Sequence, residues 1–504
     1  MPTIDSILLK RSLLAAACAL TCVGAQAAAF TATAAHATIT ITSRDAPGVG
    51  FNDPTVVAPV GGNMGTTLGQ QRYNVYRHVA NIWELNLQSN AVITVSAGWE
   101  TLTCTASSAV LGSAGAWNIW HDFAGGVPGT WYPAALANKL AGVNLLAGEP
   151  DDGSGYGNVD IKTQFNVNLG NAGCLTGSPF YLGLDGNAGN KVNFVETLLH
   201  ELGHGLDFSV LSVQTSTGSR INAAGSAFVA TGGLPSIWEG FMYDNSSNKT
   251  WLAMTSAERK ASAINPLKLA WKGANVAAGQ SMLAATPVIA LTTPAAGYSG
   301  TYDYTVSAFG PAITSPSALG KLALVATQAG ELGPACSAFN AANTTAVKGK
   351  AAIISCGGCA FTIKVKNAQN AGAVGVLLAN NTSGVLAPGG SDPSVTIPSG
   401  GILQSEGVKL IAAVTASLPY GSRNAPGSAT ASWSSDPART AGADAMGRPL
   451  LYTPAVLASG SSVSHWDVTA FPNLLMEPNI NSDLGTILTA PKDLTLPLLK
   501  DIGW

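Results

Sequence analysis

The stretch Asn193-Phe194-Val195-Glu196-Thr197-Leu198-Leu199-His200-Glu201-Leu202-Gly203-His204-Gly205 decides how this chain is read. Val195, Leu198, Leu199 and Leu202 recur at helical spacing, Asn193 is a natural N-cap with Glu196 three residues on, and Gly205 is a natural stop. At 100° per residue His200 and His204 point roughly 140° to 180° away from Val195, off the apolar face. Six histidines and ten glutamates in 504 residues give the string His-Glu-x-x-His a chance expectation of about 0.001. Two imidazoles one helical turn apart can share one Zn2+, and Glu201 beside them can take a proton from a metal-bound water.

A catalytic zinc needs a third protein ligand and an open position. His36, His78 and His121 lie upstream and read as surface or satisfied core residues, which leaves His465 in Ser464-His465-Trp466-Asp467 as the one downstream histidine. Glu239, in Trp238-Glu239-Gly240-Phe241 on an expected helix, is the competing carboxylate. Spacing alone leaves His465 and Glu239 level.

Composition bounds the rest. Only 11% of residues are charged, Gly and Pro number 57 and 27, and the apolar share is 46%, so the chain is expected to be globular and turn-rich. A net charge of -3 and the lack of any long Lys/Arg run exclude the electrostatic footprint of nucleic-acid or anionic-membrane binding. Residues 1–27 combine Lys10 and Arg11, an apolar run from Leu13 to Val23 and the small-x-small end Ala25-Gln26-Ala27, the pattern of a secretory signal peptide. The mature chain is then expected to be exported, soluble and free of membrane spans. Oligomeric state has no sequence signal.

Exported chains can keep disulfides. Cys18 and Cys22 leave with the signal; Cys104 and Cys174 stand alone in the first half, while Cys336, Cys356 and Cys359 crowd the second and leave one sulfur over. Strands are expected at 37–43, 91–96 and 159–166, and a helix at 70–87. Residues 236–272 are expected to be helical, with Thr255-Ser256-Ala257-Glu258 as a cap signal. From about 300 the texture changes to short strands and small-residue helices, followed by a loop over 420–441 rich in Ser, Gly, Pro and Ala. Asp151-Asp152-Gly153 and Asp185-Gly186 are candidate Ca2+ positions, although Asp-Gly pairs are ordinarily turns.

Three elements together resemble the leishmanolysin family of metzincin zinc peptidases: His200-Glu201-Leu202-Gly203-His204-Gly205, Ser464-His465-Trp466, and Asn473-Leu474-Leu475-Met476-Glu477-Pro478 with the terminal 494–504. The resemblance implies His465 as third ligand after an insertion of variable length, Met476 eleven residues later in a turn beneath the metal, and Glu201 as general base. Asp207 departs from the pattern, standing where such enzymes carry a Gly that lets the chain turn; Asp tolerates left-handed backbone better than most residues.

Much of the 261-residue gap between His204 and His465 resembles a protease-associated (PA) domain, through Ala335-Cys336, Gly349-Lys350, Gly358-Cys359-Ala360-Phe361, Lys364 to Gln369 and Ala371 to Asn380. That resemblance implies a small α/β module bridged by Cys336–Cys359, with Cys356 spare, which gates or recognises protein substrates. The expected fold is therefore α+β: a metzincin-like zinc peptidase domain, with a twisted sheet and an active-site helix, split by an inserted PA domain. Its divisions are 1–27 signal, 28–305 first peptidase part, 306–435 insertion and 436–504 second peptidase part. The expected function is secreted zinc endopeptidase acting on proteins or peptides, with a zinc exopeptidase or an inactive binding protein as alternatives.

Overall fold

A computed structural model describes residues 36–504 apart from 107, 150–154, 383, 417–428 and 482. The expected signal peptide and the Asp151–Gly153 calcium candidate fall outside the described residues.

The first part is built on a four-stranded sheet of β1 (Thr38–Ser43), β2 (Val92–Glu100), β3 (Gly112–Ala116) and β4 (Ile161–Asn166), in the order β1-β2-β4-β3. β1, β2 and β4 run parallel, in register Ile41 with Val95 and Val95 with Ile161; β3 lies antiparallel on the edge, Gly112 opposite Phe165. Central β2 is buried along nearly its whole length, as a parallel strand covered on both faces must be.

Helix α1 (Leu68–Asn86) starts where the Thr67 side chain accepts from the Gln70 N–H. It buries Val75, Tyr76, Val79, Ala80 and Trp83 against the sheet and against α2 (Phe194–Gly205). Asn193 Oδ1 caps α2 by accepting from the Val195 and Glu196 N–H groups. Phe194 then locks the helix into an aromatic cluster with Trp99, Phe165 and Phe180, ring centroids about 5 Å away. Burial of these large faces is the main force that fixes α2 on the sheet.

The helical reading of 236–272 is corrected. Ser236 and Glu239 form a capping box, but it launches only a 3-10 turn, Ile237–Phe241, which passes into the short strand Met242–Asp244. Asp244 Oδ1 then accepts from the Ser246 and Ser247 N–H groups, and Asn248 takes φ +55°, so turn chemistry ends the run. Within 236–272 only α3 (Ser256–Ser262), which carries a capping box at the expected Thr255–Glu258 signal, is α-helical.

The insertion is a closed barrel of β5 (Ala285–Thr292), β6 (Gly300–Val306), β7 (Ser317–Leu324), β8 (Ala351–Ser355), β9 (Gly375–Ala379), β10 (Ser399–Ile402) and β11 (Thr430–Thr440). The order is β5-β6-β10-β9-β8-β7-β11, with helices α4 (Ala341–Val347), α5 (Phe361–Asn370) and α6 (Gln404–Ala416). It is wider than the expected 306–435, because β5 pairs along its length with β11, from Ala285 opposite Thr440 to Thr292 opposite Thr430. The described end of the expected loop at 420–441 is thus a strand, whose Ala431 and Trp433 point into the barrel core.

Disulfides join Cys104 to Cys174 and Cys336 to Cys359, and Cys356 is a buried free thiol. Two disulfides fit an extracellular protein. Among the described residues no helix is long and apolar enough to cross a membrane. The chain closes with α7 (Thr495–Ile502), buried on Leu496, Leu498, Leu499 and Ile502.

Candidate metal centre

The segment 464–477 folds back onto the outer face of α2. His200 and His204, which the helix alone would leave facing solvent, are thereby covered, and His465 is carried to them; ligand atoms of the three lie within 4.8 Å of one another. His204 Nε2 is 3.1 Å from His200 Nε2 and 3.1 Å from His465 Nε2.

Each ring is oriented from behind by a main-chain carbonyl. His200 Nδ1 donates to Leu475 O at 2.7 Å, His204 Nδ1 to Phe208 O at 2.7 Å and His465 Nδ1 to Ser461 O at 2.9 Å. A carbonyl only accepts, so each Nδ1 carries the proton and each Nε2 presents a lone pair. Burial depresses all three imidazoles, His200 to about 4, His204 to about 3 with the charge of His200 adding to it, and His465 well below its ordinary value. Three neutral nitrogens with convergent lone pairs repel one another unless a cation sits between them. Such a donor set could hold a metal ion, and the Nδ1–H groups held outward by carbonyls fix the rings as metal-bound histidines require.

Met476 lies directly beneath the helix. A Cβ built on Gly203 would sit 2.8 Å from Met476 Sδ, so the small residue inside the His-Glu-x-x-His string is what lets the turn approach. Trp466 N–H donates to Met476 O, tying the His465 segment to the methionine turn. Leu475 N–H in turn donates to Asp493 Oδ2 at 2.6 Å, which holds the residue whose carbonyl orients His200.

Glu201 is buried beside the cluster, and burial raises its carboxyl to about 8 against the opposing pull of a hydrogen bond from the Ala114 backbone on β3. A carboxylate poised between acid and base near neutral pH suits proton transfer.

Glu239 is not part of the cluster. It is fully buried and its oxygens are engaged by Arg220, the Ser212 hydroxyl and the Ser236 N–H. His36 and His78 also stay out, and His121 is held between Asp122 and the Ala223 carbonyl. Asp185 accepts from the Tyr181 hydroxyl and from Asn187, an ordinary turn arrangement. Asp207 takes φ +84°, the left-handed turn expected where the pattern has Gly. The orienting carbonyls, the Ala114 contact and Asp493 were missed from sequence, because main-chain acceptors leave no mark in residue type.

Comparison with known proteins adds one domain assignment. Residues 293–410 match the PA domain family. The PA domain therefore lies within the barrel between β5 and β11. None of the curated proteins matches the chain. Solved structures similar to it include the zinc aminopeptidase of Bacillus subtilis, with 20% identity, a TM-score of 0.20, and coverage of 32% of this chain and 36% of that one. The aminopeptidase of Aneurinibacillus sp. strain AM-1 has 23% identity and a TM-score of 0.20, over 32% of this chain and 38% of that one. A subtilisin-like protease of Pseudoalteromonas sp. AS-11 has 16% identity and a TM-score of 0.20, over 30% and 34%. The chain spans little more than a third of the length of these structures.

Proposed function

We propose that this chain is a secreted zinc endopeptidase, a metzincin-like, leishmanolysin-type catalytic unit split by its PA domain. His200, His204 and His465 would be the zinc ligands, Glu201 the general base and Met476 the supporting turn. The observation that carries this reading is the tautomer assignment: three carbonyls take the Nδ1 protons and leave three Nε2 lone pairs aimed at one point. Zinc is favoured by the all-imidazole donor set, and when bound it supplies a Lewis acid that polarises the scissile carbonyl and lowers the pKa of water. Glu201 accepts the proton of the attacking water on its carboxylate and delivers it to the leaving amine nitrogen. The edge position of β3, beside Glu201, leaves an open strand at the rim of the site.

The test uses the full mature chain. Metal analysis is expected to find one zinc, and casein to be cut into internal peptides. Glu201→Gln should retain zinc and lose at least about 100-fold in casein hydrolysis. His465→Ala should lose zinc, and Glu239→Ala should keep it. Undiminished hydrolysis by Glu201→Gln would sink the mechanism, and release of single amino acids in place of internal peptides would move the assignment to an exopeptidase.

A further inference from the structure

Arg259 stands out among the buried groups away from the histidine cluster. It is 3% exposed, and among the described residues no carboxylate pairs with it within 4.0 Å. Its guanidinium donates instead to the Gly218 carbonyl at 2.8 Å, the Met254 carbonyl at 2.5 Å and the Ser256 hydroxyl at 3.1 Å. Three neutral acceptors fix its position without cancelling its charge. The nearest acidic groups are committed elsewhere: Glu258 to Lys249 at 2.5 Å and Glu239 to Arg220 at 2.7 Å.

Arg220 and Arg259 both line one open cavity of about 280 Å³, together with Thr231, Gly232, Met254 and Ser256. The two cations come from different elements, Arg220 from the strand Ser219–Ile221 and Arg259 from α3. Burial and then the neighbouring charge of Arg220 lower the proton affinity of Arg259, and the more distant carboxylates of Glu239 and Glu258 oppose them only in part. A guanidinium carries five N–H donors in a planar fork, and only three contacts are taken up on Arg259. A buried cation with no carboxylate in direct contact, reached by Glu239 and Glu258 only through space, stays costly until a counter-charge meets it.

We infer that this cavity is a binding site for a small oxyanion, a carboxylate or phosphate-type group, received by the guanidinium groups of Arg259 and Arg220. The volume accommodates such a group together with a short attached chain, and planar forks match oxyanion geometry. The bound anion completes the charge balance of the Arg220–Glu239 pair and Arg259, and so ties α3 to the strand at Ser219–Ile221. The site is separate from the proposed zinc chemistry and stands or falls without it.

The full mature chain is heated with increasing inorganic phosphate, sodium acetate or an N-acetylated dipeptide with a free carboxylate, at ionic strength held constant with sodium chloride. At least one is expected to raise Tm saturably, by about 2–4 °C. A response to phosphate alone assigns a phosphate-type ligand, and a response to both carboxylates assigns a peptide or acid carboxylate. Arg259→Gln is expected to abolish the rise. Because that variant removes a buried group and can fail to fold, Thr231→Phe is the second arm: it fills the cavity from its exposed rim and should abolish the rise with the fold intact. No saturable rise with any of the three probes, or a rise that persists unchanged in Thr231→Phe, overturns the inference.

Discussion

Asp207 is fully buried at φ +84°, and neither of its carboxylate oxygens meets a hydrogen-bond partner among the described residues. Burial holds its carboxyl well above the ordinary value of 3.8. A folded-state pKa raised above the unfolded one makes stability greatest below about pH 4 and erodes it as pH rises toward the folded pKa. Asp207→Asn removes the titration and keeps a side chain that tolerates left-handed backbone. The variant is expected to match the parent at pH 4 and to exceed it at pH 8 by about 1–3 kcal/mol, read from urea unfolding at the two pH values. An equal difference at both would dissociate Asp207 from the pH dependence. Gly203 is constrained by space where Asp207 is constrained by charge. Gly203→Ala would press its methyl on Met476 Sδ at 2.8 Å, and because the thioether is flexible the expected loss is at the low end of about 1–3 kcal/mol.

At the scale of elements, the site depends on the C-terminal segment keeping its register on α2. Asp493 Oδ2 receives Leu475 N–H, Asp493 Oδ1 receives Thr495 N–H at the start of α7, and Trp504 Nε1 donates to Leu206 O at 2.7 Å. One buried carboxyl thus links the residue that orients His200 to the last helix. Asp493→Ala is expected to weaken zinc affinity by about 10-fold at most, the low end of the effect of disturbing a ligand's outer partner, because it loosens Leu475, whose carbonyl orients His200; chelator competition measures it. Unchanged affinity would show that Leu475 is positioned by packing alone. The same elements show what sequence can and cannot carry. The helices expected at 70–87 and around 193–205 are found at Leu68–Asn86 and Phe194–Gly205, since long apolar periodicity with a side-chain cap is a local signal. The helix expected over 236–272 failed because a capping box specifies a start and not a length. β11 was read as loop because its Ser-rich composition masked the alternation of Ala431 and Trp433. The histidines were legible as residue types at a spacing, whereas the acceptors that aim them are carbonyls supplied by tertiary contact.

For the whole molecule, the barrel is attached at two points that touch. Ala441 N–H donates to Ala284 O at 2.9 Å, so the chain leaves the first part and returns to it at one place. The barrel also has its own cores, one inside around Ile289, Tyr304, Leu377 and Trp433, and one under α5 around Ile354, Val365 and Leu378, both distinct from the core that holds α2. Separate cores and adjacent ends are the marks of an inserted domain able to fold alone. Outside the junction, Ser391 Oγ donates to Gly189 O at 2.7 Å in the loop leading to α2, and a cavity of about 550 Å³ separates β6 and β11 from 442–450. Replacing 285–440 by a three-residue Gly linker should therefore leave the histidine cluster assembled. The excised protein is expected to bind zinc with the parent's stoichiometry and to cut a short fluorogenic peptide within a few-fold of the parent rate. Its action on casein should change more, because the barrel touches the loop entering α2 through Ser391 and Gly189 and its removal opens that side of the site to a large substrate. Loss of zinc on excision would instead make the barrel part of the scaffold that brings His465 to His200 and His204, and the two hydrophobic units would have to be treated as one.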